Sequence, residues 1–249
     1  MTKKSIIIEK NNIIYYEYGS SNKENVVFLH GFSYSPKHYS FLKELGENYR
    51  VIAPLMYGIN YLKEQPRTLD EYAELTKVFL KSLKIKPKYL LGHSMGGGVA
   101  YLISSKQKNI KKLILLNPVL ENNKKVCKFI LNSINKNKRN LSNKVKKEIK
   151  LDFSTYFKYL FSYALLVFKK PLTTIKLIKN ISKFSYKKKL TTPTTLIYGT
   201  EDEFFKLNKT KLKKLKKLEI IELKTYNHDW PLLNPKKAKE EFLKSIKKK

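Results

Sequence analysis

A serine flanked by glycines lies between an apolar run and a helix-like run near the middle of the chain. The segment Gly92-His93-Ser94-Met95-Gly96-Gly97 follows Tyr89-Leu90-Leu91 and precedes the run from Gly98 to Ser105. A backbone that turns sharply from a strand into a helix leaves no room for side chains beside the turn, so glycines are favoured there. The pattern predicts a nucleophile elbow, which lifts Ser94 Oγ above the end of a parallel sheet.

Two other apolar runs and a histidine near the end of the chain complete this pattern. Val26-Val27-Phe28-Leu29 leads into His30-Gly31-Phe32, Thr195-Leu196-Ile197-Tyr198 leads into Gly199-Thr200-Glu201-Asp202, and His228 lies near the end of the chain. The order of serine, acid and histidine is that of the α/β-hydrolases. The chain resembles the α/β-hydrolase superfamily from about Ile13 to Ile246, and the residues around Ser94 are similar to those of carboxylesterases and monoacylglycerol lipases.

Alternating apolar runs and amphipathic segments predict an α/β fold. The resemblance implies an α/β-hydrolase fold, a mostly parallel sheet flanked by helices with a helical cap inserted after the sixth strand. Residues 1–120 and 191–249 are expected to form the core. Residues 121–190 contain no convincing buried strand and carry a net charge of +16, so we expect them to form a lysine-rich helical cap or lid.

A serine hydroxyl is a weak nucleophile at neutral pH and needs a base to take its proton. We expect Ser94 to be the nucleophile and His228 the base, with Asp202 fixing the histidine tautomer and stabilising the imidazolium. Asp202 has the spacing from Gly199 that the resemblance implies for the acid, but the adjacent Glu201 is an alternative. Asp229 directly follows His228 and is expected to point away from it.

Stabilisation of an oxyanion requires two N–H groups near the developing charge. The Met95 N–H is one candidate, and the resemblance implies the Phe32 N–H as the other, with the Phe32 ring lining the pocket. The loop after Ala53-Pro54 departs from the pattern of many relatives. We expect Met56 or Tyr57 in that loop to face the substrate.

The residues favour hydrolysis of a small-molecule carboxylic ester through an acyl-enzyme. Thioester hydrolysis, C–C bond hydrolysis or a lyase reaction could use the same triad, and a non-catalytic binding protein of this fold is a further alternative. The sequence contains no cluster of metal ligands, and the reaction needs no cofactor. The sequence does not determine the oligomeric state.

Lysine dominates the charge of the chain. The net charge is +32, and only Arg50, Arg67 and Arg139 among the 52 basic residues are arginine. Specific nucleic-acid contacts favour arginine, so we interpret the lysines as a compositional coat, with peripheral contact to an anionic membrane as the alternative. A single cysteine, Cys127, and the lack of a signal-peptide pattern favour a cytoplasmic location.

Overall fold

The computed structural model describes residues 1–32, 34–55, 66–107, 109–120, 171–186, 190–202, 204–205, 212 and 217–247. Within them, eight strands form one sheet in the order β1-β2-β4-β3-β5-β6-β7-β8. The strands are β1 (Thr2–Ile8), β2 (Asn11–Tyr18), β3 (Asn25–Leu29), β4 (Arg50–Pro54), β5 (Tyr89–His93), β6 (Lys112–Leu116), β7 (Thr194–Gly199) and β8 (Leu218–Leu223). This is the α/β-hydrolase fold that the sequence predicts.

Of the eight described strands, only β1 and β2 run antiparallel to all their neighbours. β1 and β2 form a hairpin, and β2 pairs with β4, whereas β4, β3, β5, β6, β7 and β8 are parallel to one another. β3, β5, β6 and β7 are almost wholly buried, as their apolar sequences predict for strands covered on both faces. The carboxyl ends of these strands therefore meet at one edge of the sheet.

Helices cover both faces of the sheet. In the described ranges they include α1 (Phe41–Leu45), α2 (Leu69–Ser82), α3 (Met95–Ser104), α4 (Pro171–Lys183), α5 (Trp230–Leu233) and α6 (Pro235–Lys247), and a 3₁₀ turn spans Pro36–His38. Apolar residues of α2, α3 and α4 pack with one face of the sheet, and those of α1, α5 and α6 pack with the other. Successive strand residues such as Leu90 and Leu91 alternate between the two faces.

Two side chains, those of Thr68 and Glu71, cap the N-terminus of α2. Thr68 Oγ1 accepts a hydrogen bond from the Glu71 N–H at 3.1 Å, and Glu71 Oε2 accepts one from the Arg67 N–H at 2.7 Å. A full capping box would return the glutamate bond to the N-cap residue itself. Here Glu71 accepts instead from Arg67, the residue before the N-cap, so its carboxylate also holds the segment that leads into the helix.

Most of the predicted cap lies outside the described residues. Of residues 121–190 the structure describes 171–186 and Leu190, and there α4 packs on the core through Leu177 and Ile181. Asn180 Oδ1 accepts a hydrogen bond from the Leu69 N–H at 3.1 Å, which joins α4 to the start of α2. None of the helices in the described ranges combines the length and apolar character that a bilayer span requires.

Ion pairs around one buried glutamate join the antiparallel strands to the parallel sheet. The Glu17 side chain on β2 is 7% exposed, and its two oxygens lie 2.5 Å from Lys4 Nζ on β1 and 2.5 Å from Arg50 Nε on β4. Burial opposes ionisation, but the hydrogen bonds and charges of Arg50 and Lys4 outweigh it and lower the pKa of Glu17 from its ordinary 4.5.

The Glu17→Gln substitution is expected to lower the free energy of unfolding by about 2 kcal/mol at pH 7, because it removes charged hydrogen bonds in a buried setting. A carboxyl with a depressed folded-state pKa stabilises the fold above its ordinary pKa and loses that contribution as pH falls through the folded value. Urea unfolding at pH 7 and in acid should therefore give a difference that shrinks as the pH falls. The exposed Glu24→Gln change beside Lys88 should remove about 0.5 kcal/mol or less.

Candidate active site

Ser94 lies at the strained turn that the sequence predicts. β5 ends at His93, α3 begins at Met95, and Ser94 between them has φ 53° and ψ −120°. A Cβ at Gly92 would lie 2.5 Å from the Gly96 carbonyl oxygen, and one at Gly96 would lie 2.2 Å from the Leu29 carbonyl oxygen. Both positions therefore require glycine, because the turn packs backbone directly against backbone.

The described structure brings His228 into contact with Ser94 across 134 residues of chain. His228 Nε2 lies 2.9 Å from Ser94 Oγ, and His228 Nδ1 lies 2.8 Å from Asp202 Oδ2. A carboxylate can only accept, so Nδ1 carries the proton and Nε2 accepts from the serine hydroxyl. All three side chains are largely buried, so the hydrogen-bonded series has the order and tautomer that general-base activation of the serine needs.

Asp202, and not Glu201, is the carboxylate beside the histidine. It lies just after β7, is 5% exposed, and its Oδ1 accepts from the Phe204 and Phe205 N–H groups at 2.8 and 2.9 Å. Glu201 is exposed. The approach of the two loops depends on Gly199, where a Cβ would lie 2.0 Å from the Tyr226 carbonyl oxygen.

One expected oxyanion donor directly follows the serine, and the loop that carries the other comes close to it. Met95 is the first residue of α3, where a helical N–H has no acceptor within the helix. The His30-Gly31-Phe32 loop comes close as well, because a Cβ at Gly31 would lie 3.3 Å from Ser94 Cβ. Phe32 itself is half-buried and packs against the core, and its N–H as second donor stays a prediction.

Aromatic rings surround the histidine. The ring centroids of Phe204 and Phe205 lie 4.8 and 5.5 Å from that of His228. This apolar wall restricts water around the imidazole and strengthens its bonds to Ser94 and Asp202. Met56 and Tyr57, the other predicted pocket residues, lie outside the described residues.

The expectation that Asp229 points away from His228 is wrong. One carboxylate oxygen of Asp229 and one ring nitrogen each of His93 and His228 lie within 4.8 Å of one another. Asp229 Oδ1 also accepts a hydrogen bond from the Tyr34 hydroxyl at 2.6 Å. Burial has the largest effect and raises the pKa of Asp229 above its ordinary 3.8. The charge of His228 and the hydrogen bond from Tyr34 partly oppose this rise, and the charge of Asp202 adds to it. A second carboxylate therefore stands beside the imidazole.

This group of His93, His228 and Asp229 is also where a metal ion would find ligands among the described residues. Both ring nitrogens of each histidine, however, already lie within hydrogen-bond distance of another group. A metal ion bound there would have to displace at least one bond at each ring. The arrangement suits proton transfer better than metal binding.

The Asp229→Asn substitution is expected to move the acid limb of the kcat/KM profile to lower pH by about one unit. An anionic neighbour stabilises the imidazolium, so its removal lets His228 lose its proton at a lower pH. Asp202 and His93 stay beside the His228 ring, and the amide oxygen of the variant can still accept from Tyr34. Profiles from pH 4 to 9 measure the shift.

The matched control for this change is Glu201→Gln, which removes the same charge from an exposed position and should leave the acid limb where it is. An unchanged or upward-shifted acid limb in Asp229→Asn would contradict a charge effect of Asp229 on His228.

Curated relatives match part of the chain. A protein of Mycoplasma pneumoniae named as a candidate esterase/lipase is 35% identical over 108 residues, which are 41% of this chain and 39% of that protein. The chain thus spans about two fifths of the length of the curated relatives it matches.

Solved structures match nearly the whole chain at low identity. A candidate lipase of Acinetobacter baumannii has a TM-score of 0.79 at 20% identity and covers 99% of this chain and 92% of its own. A candidate epoxide hydrolase of Klebsiella pneumoniae has a TM-score of 0.77 at 17% identity and covers 98% and 97%. Because these proteins are named for different reactions, the likeness concerns the fold alone.

A sequence profile described as the alpha/beta hydrolase family matches residues 26–171, more than half of the chain and a range that includes both the His30-Gly31-Phe32 loop and the Ser94 elbow. With the eight-stranded sheet and the serine at the end of β5, this match means that the chain belongs to the alpha/beta hydrolase family.

Proposed function

We propose that the protein is a serine hydrolase that cleaves carboxylic esters through an acyl-enzyme. The observation that carries the proposal is the buried series from Ser94 Oγ through His228 to Asp202, with contacts of 2.9 and 2.8 Å. The esterase/lipase names of the curated relatives support an ester as the bond attacked.

The geometry suggests how each atom takes part. His228 Nε2 removes the Ser94 hydroxyl proton as Oγ bonds to the ester carbonyl carbon, and the N–H groups of Met95 and Phe32 hold the resulting oxyanion. Collapse of the tetrahedral intermediate breaks the bond to the alcohol, which takes the proton from His228. Water then gives a proton to His228 as its oxygen bonds to the acyl carbon, and collapse of this second tetrahedral intermediate breaks the bond to Ser94 Oγ, which takes the proton back from His228 as the acid is released.

A serine at the elbow argues against an epoxide-opening reaction, since the epoxide hydrolases that this fold resembles use a carboxylate there. Thioesters and activated C–C bonds remain alternatives, because their cleavage also begins with attack by an activated oxygen nucleophile. A non-catalytic binding protein would not need a hydrogen-bonded serine, histidine and aspartate.

A fluorophosphonate probe tests the proposal directly, because it labels only an activated serine. We expect labelling of the unmodified protein and none of Ser94→Ala. Ser105→Ala is a matched control, since Ser105 directly follows the far end of α3 and donates to the Leu102 carbonyl. Turnover of p-nitrophenyl esters of two to sixteen carbons, beside matched thioesters, identifies the bond and chain length. An unlabelled folded protein would refute the proposal.

We also propose that the lysine-rich surface allows peripheral contact with anionic membranes. The net charge of +32 supports this, and so does α4, where Lys176, Lys179, Lys183 and the 74% exposed Leu172 face solvent. A lysine near an anionic surface contributes about 1 kcal/mol, and salt screens it.

Replacing these three lysines with glutamine should weaken sedimentation with phosphatidylserine vesicles by tenfold or more at low salt, whereas the same change at Lys81, Lys84 and Lys86 should have less effect. Binding that is absent at low ionic strength, or equal in both triple variants, would contradict a membrane-facing α4.

A further inference from the structure

We propose that His93 and Asn117 are positioning residues that together hold the backbone of His228, and that His93 is a neutral imidazole with its proton on Nε2. The inference rests on the proposed function for its catalytic consequence. Neither side chain belongs to the series of Ser94, His228 and Asp202. The hydrogen bonds of His93 and Asn117 are different from those that join that series.

The carbonyl oxygen of His228 is the point where the two side chains meet. His93 Nε2 lies 3.1 Å from it, and Asn117 Nδ2 lies 2.8 Å from it. His93 is the last residue of β5, and Asn117 directly follows the neighbouring strand β6. A carbonyl oxygen has two lone pairs, so two adjacent strands of the rigid sheet can fix the catalytic histidine by its own backbone.

The contacts of His93 decide its tautomer. A carbonyl oxygen only accepts, so Nε2 must carry the proton, and Nδ1 must accept from the Tyr39 hydroxyl 2.7 Å away. Tyr39 Oη in turn accepts from the Gly31 N–H at 3.1 Å. The series therefore joins the loop that carries Phe32 to the backbone of His228, and burial, which lowers the pKa of His93, keeps the ring neutral.

The side chain of Asn117 is fully used in the same region. Nδ2 also donates to the Asn227 carbonyl at 3.0 Å, and Oδ1 accepts from the Gly199 N–H at 2.9 Å and from Trp230 Nε1 at 3.3 Å. Asn117 is 1% exposed. The Asn117 side chain thus joins the end of β6 to the end of β7, close to Asp202 in sequence. It also joins β6 to residues before and after His228.

This environment distinguishes asparagine from its isostere. An aspartate at 117 would present oxygen to two carbonyl oxygens that now receive N–H donors, and it would bring an uncompensated charge into a buried site. The His228 backbone would have to move. A displacement of about 1 Å at a catalytic group can reduce the rate by about 100-fold, although Asn117 touches neither the substrate nor the reacting atoms.

The first experiment compares kcat and KM for a p-nitrophenyl ester in designed pairs. We expect Asn117→Asp to lower kcat by about 100-fold with KM changed less than about threefold, and the exposed Asn234→Asp to leave both unchanged. At position 93, Gln and Met have similar length, but only Gln can donate to the His228 carbonyl. His93→Gln should therefore retain at least tenfold more kcat than His93→Met. Equal kcat in this pair would overturn a donor role for His93.

The second experiment requires neither activity nor a variant that folds. Nitrogen-15 NMR of the histidine side chains should find His93 neutral, protonated on Nε2, from pH 5 to 8. A proton on Nδ1, or titration near pH 6.5, would overturn the proposal. The two experiments separate the failures: an unmodified protein that cleaves no ester and binds no fluorophosphonate refutes the proposed function, whereas the tautomer of His93 tests the positioning contacts on its own.

Discussion

Ser94→Ala is expected to lower kcat for ester hydrolysis by about 10⁴-fold or more, and His228→Ala by a similar factor. The two side chains form one unit, in which the serine has no base without the histidine and the histidine has no proton to accept without the serine. The double variant should therefore be little slower than either single variant, since members of such a unit are strongly non-additive.

The measurement is steady-state kinetics with the best ester from the chain-length panel, with circular dichroism to establish folding. KM should change little, because neither side chain supplies most of the binding surface. Ser104→Ala, a buried serine of α3 that donates to the Tyr101 carbonyl, controls for the loss of a hydroxyl in the same region. Full activity in Ser94→Ala, or losses that multiply in the double variant, would contradict a single catalytic unit.

The elbow could be predicted because its cause is local. A Cβ at Gly92 would meet the Gly96 carbonyl oxygen four residues further on, so that requirement for glycine is written in one short segment, whereas Gly96 is close to the Leu29 backbone of the neighbouring strand β3. The sheet was predictable for a similar reason, since strands buried on both faces need continuous apolar sequence. Here, short-range sterics and burial determine the structure, and both leave a direct pattern in the sequence.

The prediction for Asp229 failed because side-chain direction depends on backbone angles that adjacency does not reveal. Neighbouring side chains point to opposite sides only in extended backbone. Asp229 has φ −92° and ψ 12° and precedes α5, so its carboxylate stays near His228 and meets Tyr34, 195 residues away in sequence.

The contacts of Asn117 were equally hidden. Its partners at Gly199, His228 and Trp230 are 82, 111 and 113 residues away, and only the completed sheet brings them together.

Asp202→Asn is expected to lower kcat by about 10⁴-fold, and the structure fixes the reason. Asp202 Oδ1 accepts from the Phe204 and Phe205 N–H groups, so the amide oxygen of the variant must occupy that position and turn its NH₂ group towards His228. The Nδ1 atom would then accept, and Nε2 would carry the proton and could not take one from Ser94. Glu201→Gln, at the exposed neighbour, should retain nearly full activity in the same assay. Nitrogen-15 NMR should find the His228 proton on Nδ1 before the change and on Nε2 after it. A larger loss in Glu201→Gln than in Asp202→Asn would instead assign the acid role to Glu201.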